Sequence, residues 1–467
     1  MAVTDSPGRS AGAPAEASVA GHRLDRSTLP LLVTLGLGVF AGALDLGVLS
    51  PALPALARAF GVGPGALAWV FTLYLLANVA SIPIMTKLAD RNGRRPVYIA
   101  CVAIFAVGSI CAISARNFTI FLIARAIQAA GAGGIFPVAT AAIADRVPPE
   151  RRGAALGLVA ATWGLAAIIG PSLGGVLTHL LSWHWIFAAN IPLAIVVIFM
   201  ARTTLPTNVS NVRGPLDAGG IATLTFGLLA VMIGLTQLGR LLVPMLVAGA
   251  ILFAAFVVIE SRAAEPVIRL HLFARRQLQV TYGLEVLIGI LEGALFFIPA
   301  ALVAAQHMSY AAAGGIAALG AFMFVAVIPG AGRALDAVGS RWVLTAGTLL
   351  TACGLLIFAL GFESLAISIV AMIVAGTGFG ALLGAPTRYI ITNSVSADQR
   401  ASAVGLLSIF LIIGQILGGS LAGGIIAAHS VDIDGYRTAY GAFTAIAVVA
   451  AVLTLALKSK AAEARSR

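Results

Sequence analysis

Charge is scarce in this chain. Of its 467 residues, 10% are Asp, Glu, Lys or Arg and 60% are hydrophobic. The mean hydropathy is +1.02. A soluble protein of this length needs a far more polar outer face, so a water-soluble fold is excluded. Cysteine is rarer still. Cys101, Cys111 and Cys353 all lie inside apolar stretches, which speaks against a disulfide framework or a zinc centre. No nucleophile–His pairing, metal-ligand cluster or phosphate-cradling loop stands out. Gly131-Ala-Gly133-Gly134 falls in mid-span and reads as helix packing. An enzyme, a metal and a cofactor are therefore not expected. Residues 1–28 are polar and rich in Ala, Ser and Gly, without the apolar core of a signal peptide, and read as a disordered cytoplasmic tail.

What remains is long apolar runs. A helix needs about 20 such residues to cross the hydrocarbon. Spans are expected at 30–53, 65–87, 96–114, 118–144, 153–181, 184–203, 217–238, 241–261, 281–304, 311–331, 342–362, 365–391, 401–428 and 437–457. The 52 glycines suit closely packed membrane helices. The formal charge of +11 acts as an orientation signal. With the N-terminus inside, 24 of the 29 Lys and Arg fall on inner loops. Arg58, Arg116, Arg240 and Arg437 fall outside, and Arg125 lies within a span. This is the positive-inside bias, with both termini cytoplasmic, and it removes nucleic acid as a partner.

The chain also repeats itself. Asp90, Gly93 and Arg95 after span 2 are each 246 residues before Asp336, Gly339 and Arg341 after span 10. Arg152-Gly-Ala-Ala-Leu-Gly157 echoes Arg400-Ala-Ser-Ala-Val-Gly405, with Gly170 matching Gly418. Two copies of a six-helix unit are implied, at 29–203 and 281–457. Residues 204–280 then form a linker with two extra spans, and 458–467 a second cytoplasmic tail. Parallel repeats of this kind underlie transporters whose halves rock about a midplane site.

These segments resemble the major facilitator superfamily, and within it the fourteen-span drug:proton antiporters. Asp90-Arg-Asn-Gly-Arg-Arg95 is similar to the family's loop between spans 2 and 3. Arg125-Ala-Ile-Gln128-Ala-Ala-Gly131 is similar to its span 4 motif, and Gly170-Pro171-Ser-Leu-Gly174-Gly175 to its span 5 antiporter motif. Trp183-His-Trp185-Ile-Phe187-Ala-Ala-Asn190-Ile-Pro192 resembles the start of span 6 in the fourteen-span branch. Leu44-Asp45 through Ala52-Leu53-Pro54 resembles that branch's span 1. Thr86, Gly47, Ser50 and His184 depart from the usual Gly, Thr, Asn and Arg. The resemblance implies an all-α membrane fold of two six-helix bundles plus two central helices. It implies proton-coupled export of amphipathic organic compounds by alternating access. Its expected partners are a small-molecule substrate, protons and the lipid bilayer, with the chain a monomer in the cell membrane. A proton-coupled importer, or an exporter of one metabolite or lipid, is the alternative on the same fold. A non-transporting receptor or scaffold would have no need of buried acids.

A charge in the bilayer core costs about 2.5–3.5 kcal/mol on insertion scales. Four lie deep: Asp45, Arg125, Glu285 and Glu292. Asp45 and Glu292 are 247 residues apart, the repeat offset, and are expected to face a shared cavity as proton or substrate groups. They could instead be neutral or paired groups that only pack helices. Glu285 lies two turns before Glu292, as a second proton site or a hydrated acid near the helix end. Arg125 keeps its charge and is expected to hold an acid such as Asp45 ionised; it could also simply bond backbone carbonyls. Gln128 shares its face, for substrate bonding or for packing. Asp90, Gly93, Arg94 and Arg95, with Asp336, Gly339 and Arg341, are the expected cytoplasmic gate. Gly164, Gly170, Pro171, Gly174 and Gly175 would form a bent seam against the other half. Trp183 and Trp185 are expected at the membrane interface.

Overall fold

The computed structural model describes residues 28–205, 217–263, 266, 268, 270–383, 385–395, 400–429, 433–458 and 460. The expected N-terminal tail, except Thr28, and most of the C-terminal tail lie outside the described residues. Among the described residues there is no strand. Among the same residues fourteen helices are long and apolar enough to cross a membrane. Spans 1 to 6 are Leu29–Phe60, Pro64–Asn92, Arg94–Ile113, Phe118–Arg146, Pro149–Leu180 and His184–Thr204. Spans 7 and 8 are Ala218–Thr236 and Leu242–Glu260. Spans 9 to 14 are Arg276–Gln306, Tyr310–Val338, Ser340–Gly361, Leu365–Ser394, Arg400–Ala428 and Ile433–Thr454.

The packing repeats with the sequence. In the first bundle span 1 packs on spans 5 and 6, span 2 on span 4, and span 3 on spans 4 and 6. In the second, span 9 packs on spans 13 and 14, span 10 on span 12, and span 11 on spans 12 and 14. The bundles join where span 5 meets span 10 and span 2 meets span 13, which are equivalent pairs. Span 7 leans on spans 2 and 13, and span 8 packs chiefly on span 7. Val243, Val247 and Ile251 of span 8 therefore stay exposed, as apolar side chains can when lipid is the solvent.

The first span of each bundle is interrupted at the same point. Span 1 passes through a short 3₁₀ turn, Ser50–Ala52, into a second helix, Leu53–Phe60. Span 9 breaks after Leu295 and resumes at Ile298–Gln306. Pro51, Pro54 and Pro299 sit at the first positions of the resumed turns, where a missing N–H costs nothing. Both spans consequently run longer than the apolar stretch alone predicts. Span 5, in contrast, is one unbroken helix through Pro171.

Gly93 and Gly339 adopt φ of 96° and 88°, a conformation that favours glycine, and each donates its N–H to the carbonyl four residues back, at 3.0 and 2.9 Å. The chain thereby turns at once from span 2 into span 3 and from span 10 into span 11.

Candidate functional site

The first bundle encloses a set of polar side chains drawn from four spans. Gly108 of span 3 makes this possible. A Cβ there would overlap the backbone of Gln128, so only glycine lets spans 3 and 4 approach this closely. Asp45, Arg125 and Gln128 are each fully buried. Arg125 Nη1 lies 2.5 Å from Asp45 Oδ2. Gln128 Nε2 donates to Asp45 Oδ1 and to Ser109 Oγ, both at 2.8 Å. Gln128 Oε1 accepts from Arg125. Asn190 of span 6 completes the ring, donating to Asp45 Oδ1 at 3.0 Å and to Ser109 Oγ at 3.3 Å. Asp45 thus carries one charged and two neutral donors, as a buried carboxylate requires. Tyr74 and Phe187 cover the Arg125 guanidinium, with ring centroids at 4.2 and 5.7 Å.

This corrects one expectation. Asp45 does not share an open cavity with Glu292 in this conformation; it is enclosed inside its own bundle. A buried Asp beside a buried Arg is stabilised by pairing, and the pairing draws it inward. Among the described residues no hydrogen bond or ion pair joins Asp45 to Glu292.

The second bundle holds the other two acids on span 9. Glu285 is buried beside Thr387, with Arg388 of span 12 close by. Glu292 is half-buried and lies beside Gln415 of span 13. The Oε2 atom of each is buried without a protein partner. One turn beyond Glu292, the Phe296 ring stacks on Phe71 of span 2 at 4.3 Å, so this acid lies next to the seam between the bundles.

The loop residues divide unequally. Arg94 is bonded to Asp90 and reaches Asp145, at the end of span 4, at 3.0 Å. Arg95 makes no ion pair among the described residues. In the second copy Asp336 and Arg341 are not paired with each other. Instead Lys460 Nζ donates to the carbonyls of Asp336 and Ala337 at 2.7 and 2.9 Å, capping the end of span 10. Arg341 lies near the Trp342 ring, 5.6 Å from its centroid.

The span 5 glycines also divide, which corrects a second expectation. Gly170 and Gly174 face span 1 of their own bundle, against the backbone of Gly47 and Val48. Gly164 and Gly175 face span 10, near Val325 and against Tyr310, and the Pro171 carbonyl abuts Gly314. Span 5 is thus wedged between two helices, and its two glycine faces serve different contacts. Trp183 is buried among Phe60, Phe121 and Phe187, whereas Trp185 is 52% exposed. Only the second has the exposure of an interface residue.

Ser109, Tyr74, Thr387, Arg388 and Gln415 were not anticipated from the sequence, and Asn190 only as part of a motif. For all but Arg388 the signal is an uncharged polar side chain in an apolar run, which is faint; Arg388 lies near the end of span 12 and reads as an ordinary loop cation.

The sequence profile of the Major Facilitator Superfamily matches residues 35–305 and 281–467. The chain belongs to that superfamily. Its fold and family are those of membrane transporters. It is 33% identical over 417 residues to the uncharacterized MFS-type transporter YfiU of Bacillus subtilis (strain 168), covering 84% of this chain and 78% of that one. It is 29% identical over 424 residues to the multidrug transporter protein MdtP of the same organism, covering 87% and 76%. Among solved structures, the nucleoside transporter NupG superposes with a TM-score of 0.69 at 15% identity, covering 91% of this chain and 99% of that one. A bacterial homologue of the human lysosomal transporter Spinster, in an inward-facing and unoccupied conformation, gives 0.68 at 18% identity, covering 95% and 99%. These two likenesses concern the fold.

Proposed function

We propose that this transporter is a proton-coupled antiporter that exports amphipathic organic compounds by alternating access. The observation that carries the reading is the Asp45–Arg125 pair with Gln128, Ser109 and Asn190 around it. Two charges taken out of water cost several kcal/mol each, and helix packing needs neither. A carboxylate held by a permanent cation is a group that can take up a proton and thereby break an ion pair, which gives a two-state switch. Glu292 supplies a further acid beside the seam, where a substrate or a proton can meet it, and Glu285 another on the same helix. Export of organic compounds rests on the kinship with MdtP.

The enclosure of Asp45 sets a condition on this mechanism. Asp45 exchanges protons only when the cycle opens its cluster to water. The bias of Lys and Arg supports cytoplasmic termini. In that orientation the Asp90–Arg94–Asp145 contacts lie on the cytoplasmic side and act as a latch for the inner gate.

Purified protein in liposomes, loaded with a lipophilic fluorescent cation, tests the reading. An imposed pH gradient, acid outside the exporting face, should drive efflux, and Asp45→Asn or Glu292→Gln should abolish it. Full gradient-driven efflux in both variants overturns the coupling assignment. Uptake along the same gradient shows an importer instead.

A further inference from the structure

The Asp45–Arg125 pair leaves a question about its other protonation state. When Asp45 holds a proton, Arg125 remains charged, because a guanidinium does not release its own in a protein. A lone cation then sits in the bilayer interior, where water cannot reach it. Something must hold that charge.

The side chains around the Asp45–Arg125 pair come from five spans. Asp45 belongs to span 1, Tyr74 to span 2, Ser109 to span 3, Gln128 to span 4, and Asn190 with Phe187 to span 6. Of these, Asp45 and Tyr74 are titratable, and Asp45 is the sole acid. Ser109 and Asn190 contact Asp45 or Gln128, not the guanidinium. Gln128 gives Arg125 one acceptor. The nearer of the two rings over the guanidinium is Tyr74, whose centroid lies 4.2 Å from the guanidinium carbon, against 5.7 Å for Phe187. Tyr74 is 1% exposed and its hydroxyl has no protein partner, so no hydrogen bond accounts for its orientation. The same side chain belongs to an apolar cluster that also takes in Leu406, Leu407 and Ile416 of span 13.

We propose that Tyr74 is a positioning residue, whose ring face holds the Arg125 charge while Asp45 carries the proton. An aromatic face is negative at its centre and attracts a cation, and the attraction strengthens without water. The same face repels a carboxylate, so its net pull is partly cancelled while Asp45 is ionised and weighs most in the state where Asp45 no longer neutralises the guanidinium. Removing the ring destabilises that state, so Asp45 gives up its proton more readily and the titration midpoint moves to lower pH. This rests on the proton-coupled reading of Asp45.

Difference infrared spectroscopy of the purified full-length protein tests it without a substrate. The band to follow is the carboxylic acid C=O stretch that Asp45→Asn removes. Tyr74→Leu should lower its midpoint by about one pH unit or more. Tyr74→Phe, which keeps the ring and loses the hydroxyl, should leave it within a few tenths. A second series guards against a misfolded Leu variant: progressively fluorinated phenylalanines at position 74 keep the shape and weaken the ring's negative face. The midpoint should descend as fluorines are added. An unchanged midpoint across that series, or a shift in Tyr74→Phe as large as in Tyr74→Leu, overturns the role of the ring face while leaving Asp45 as the coupling acid. A protein in which no Asp45 band titrates between about pH 4 and about 9 overturns both readings.

Discussion

Ser50 donates its hydroxyl to the carbonyl of Phe296 at 2.7 Å, and the two residues occupy equivalent places, 246 positions apart, in the two repeats. Each lies where the first span of its bundle is interrupted, so the Phe296 carbonyl is free of the regular helix ladder and able to accept. The stacked Phe71 and Phe296 rings and Arg58 over Tyr310, 5.3 Å from the ring centroid, join the bundles at the same end. A pair of equivalent residues can touch each other only where the pseudo-twofold axis passes between them. This contact therefore marks where the pseudo-twofold axis crosses the seam.

If the two bundles rock, that hydrogen bond is broken in each cycle. A neutral hydrogen bond contributes about 1 kcal/mol net, so Ser50→Ala should shift the opening equilibrium at this end roughly fivefold toward the separated state. Spin labels at Ala59 and Ser309, both exposed and on opposite bundles, would report it as a larger long-distance population in pulsed distance measurements. An unaltered distribution in Ser50→Ala would show that the stacked rings alone close this end.

The Asp45–Arg125 pair makes a different prediction, about stability. Removing one partner leaves a buried charge without its counter-ion, at a cost of about 3–5 kcal/mol. Arg125→Gln should therefore lower the melting temperature in detergent strongly. The double variant Asp45→Asn with Arg125→Gln should recover most of it, because no charge remains to be compensated. Arg125→Lys should behave like a loss and not like a conservative change, since the shorter side chain falls short of the Nη1 position that bonds Asp45 and Gln128, and a compact ammonium does not replace the planar guanidinium over the Tyr74 ring. Thermal unfolding of the three variants beside the parent decides this, independently of any transport assay.

These expectations show where the sequence speaks clearly. All fourteen spans were legible, because a run of apolar residues has one physical meaning in a membrane protein. Their ends were less so: Leu53–Phe60 continues span 1 past two prolines that look like a stop. Asp45 and Arg125 stood out by their depth and charge, and the fold brings them together; that Gln128 bonds both was not legible. Ser109 and Tyr74 did not announce themselves, since serine and tyrosine are ordinary in membrane helices. Nor could periodicity reveal which glycine face of span 5 meets span 1 and which meets span 10. That depends on how the bundle wraps, and the repeat constrains it only through its second copy.

The glycine faces can be told apart experimentally. A Cβ at Gly174 would overlap the Val48 carbonyl, part of a backbone that cannot yield without moving span 1. Gly174→Ala should cost about 1–3 kcal/mol, the range of overpacked cores. At Gly164 the nearest atom to a Cβ is the Val325 methyl at 3.4 Å, an ordinary contact. Gly164→Ala should stay within about 0.5 kcal/mol of the parent. Comparable losses in the two variants would contradict the packing described for span 5.

The repeated Asp-Gly-Arg loops lead to a last prediction, because their symmetry in sequence is not matched by symmetry in contacts. Arg94 bridges Asp90 and Asp145, whose side chains are 30% and 51% exposed. Exposed ion pairs contribute about 1 kcal/mol or less, and salt screens them. Asp145→Asn should therefore give a small drop in melting temperature that shrinks as salt rises. Asp336→Asn should give none, since it is the Asp336 backbone carbonyl, not its carboxylate, that accepts from Lys460. The second-copy counterpart of Asp145→Asn is Lys460→Ala, which uncaps the end of span 10. Melting curves of these three variants at low and high salt would test the substitution of a terminal lysine for an internal ion pair. A loss in Asp336→Asn equal to that in Asp145→Asn would restore the symmetry that the sequence suggests.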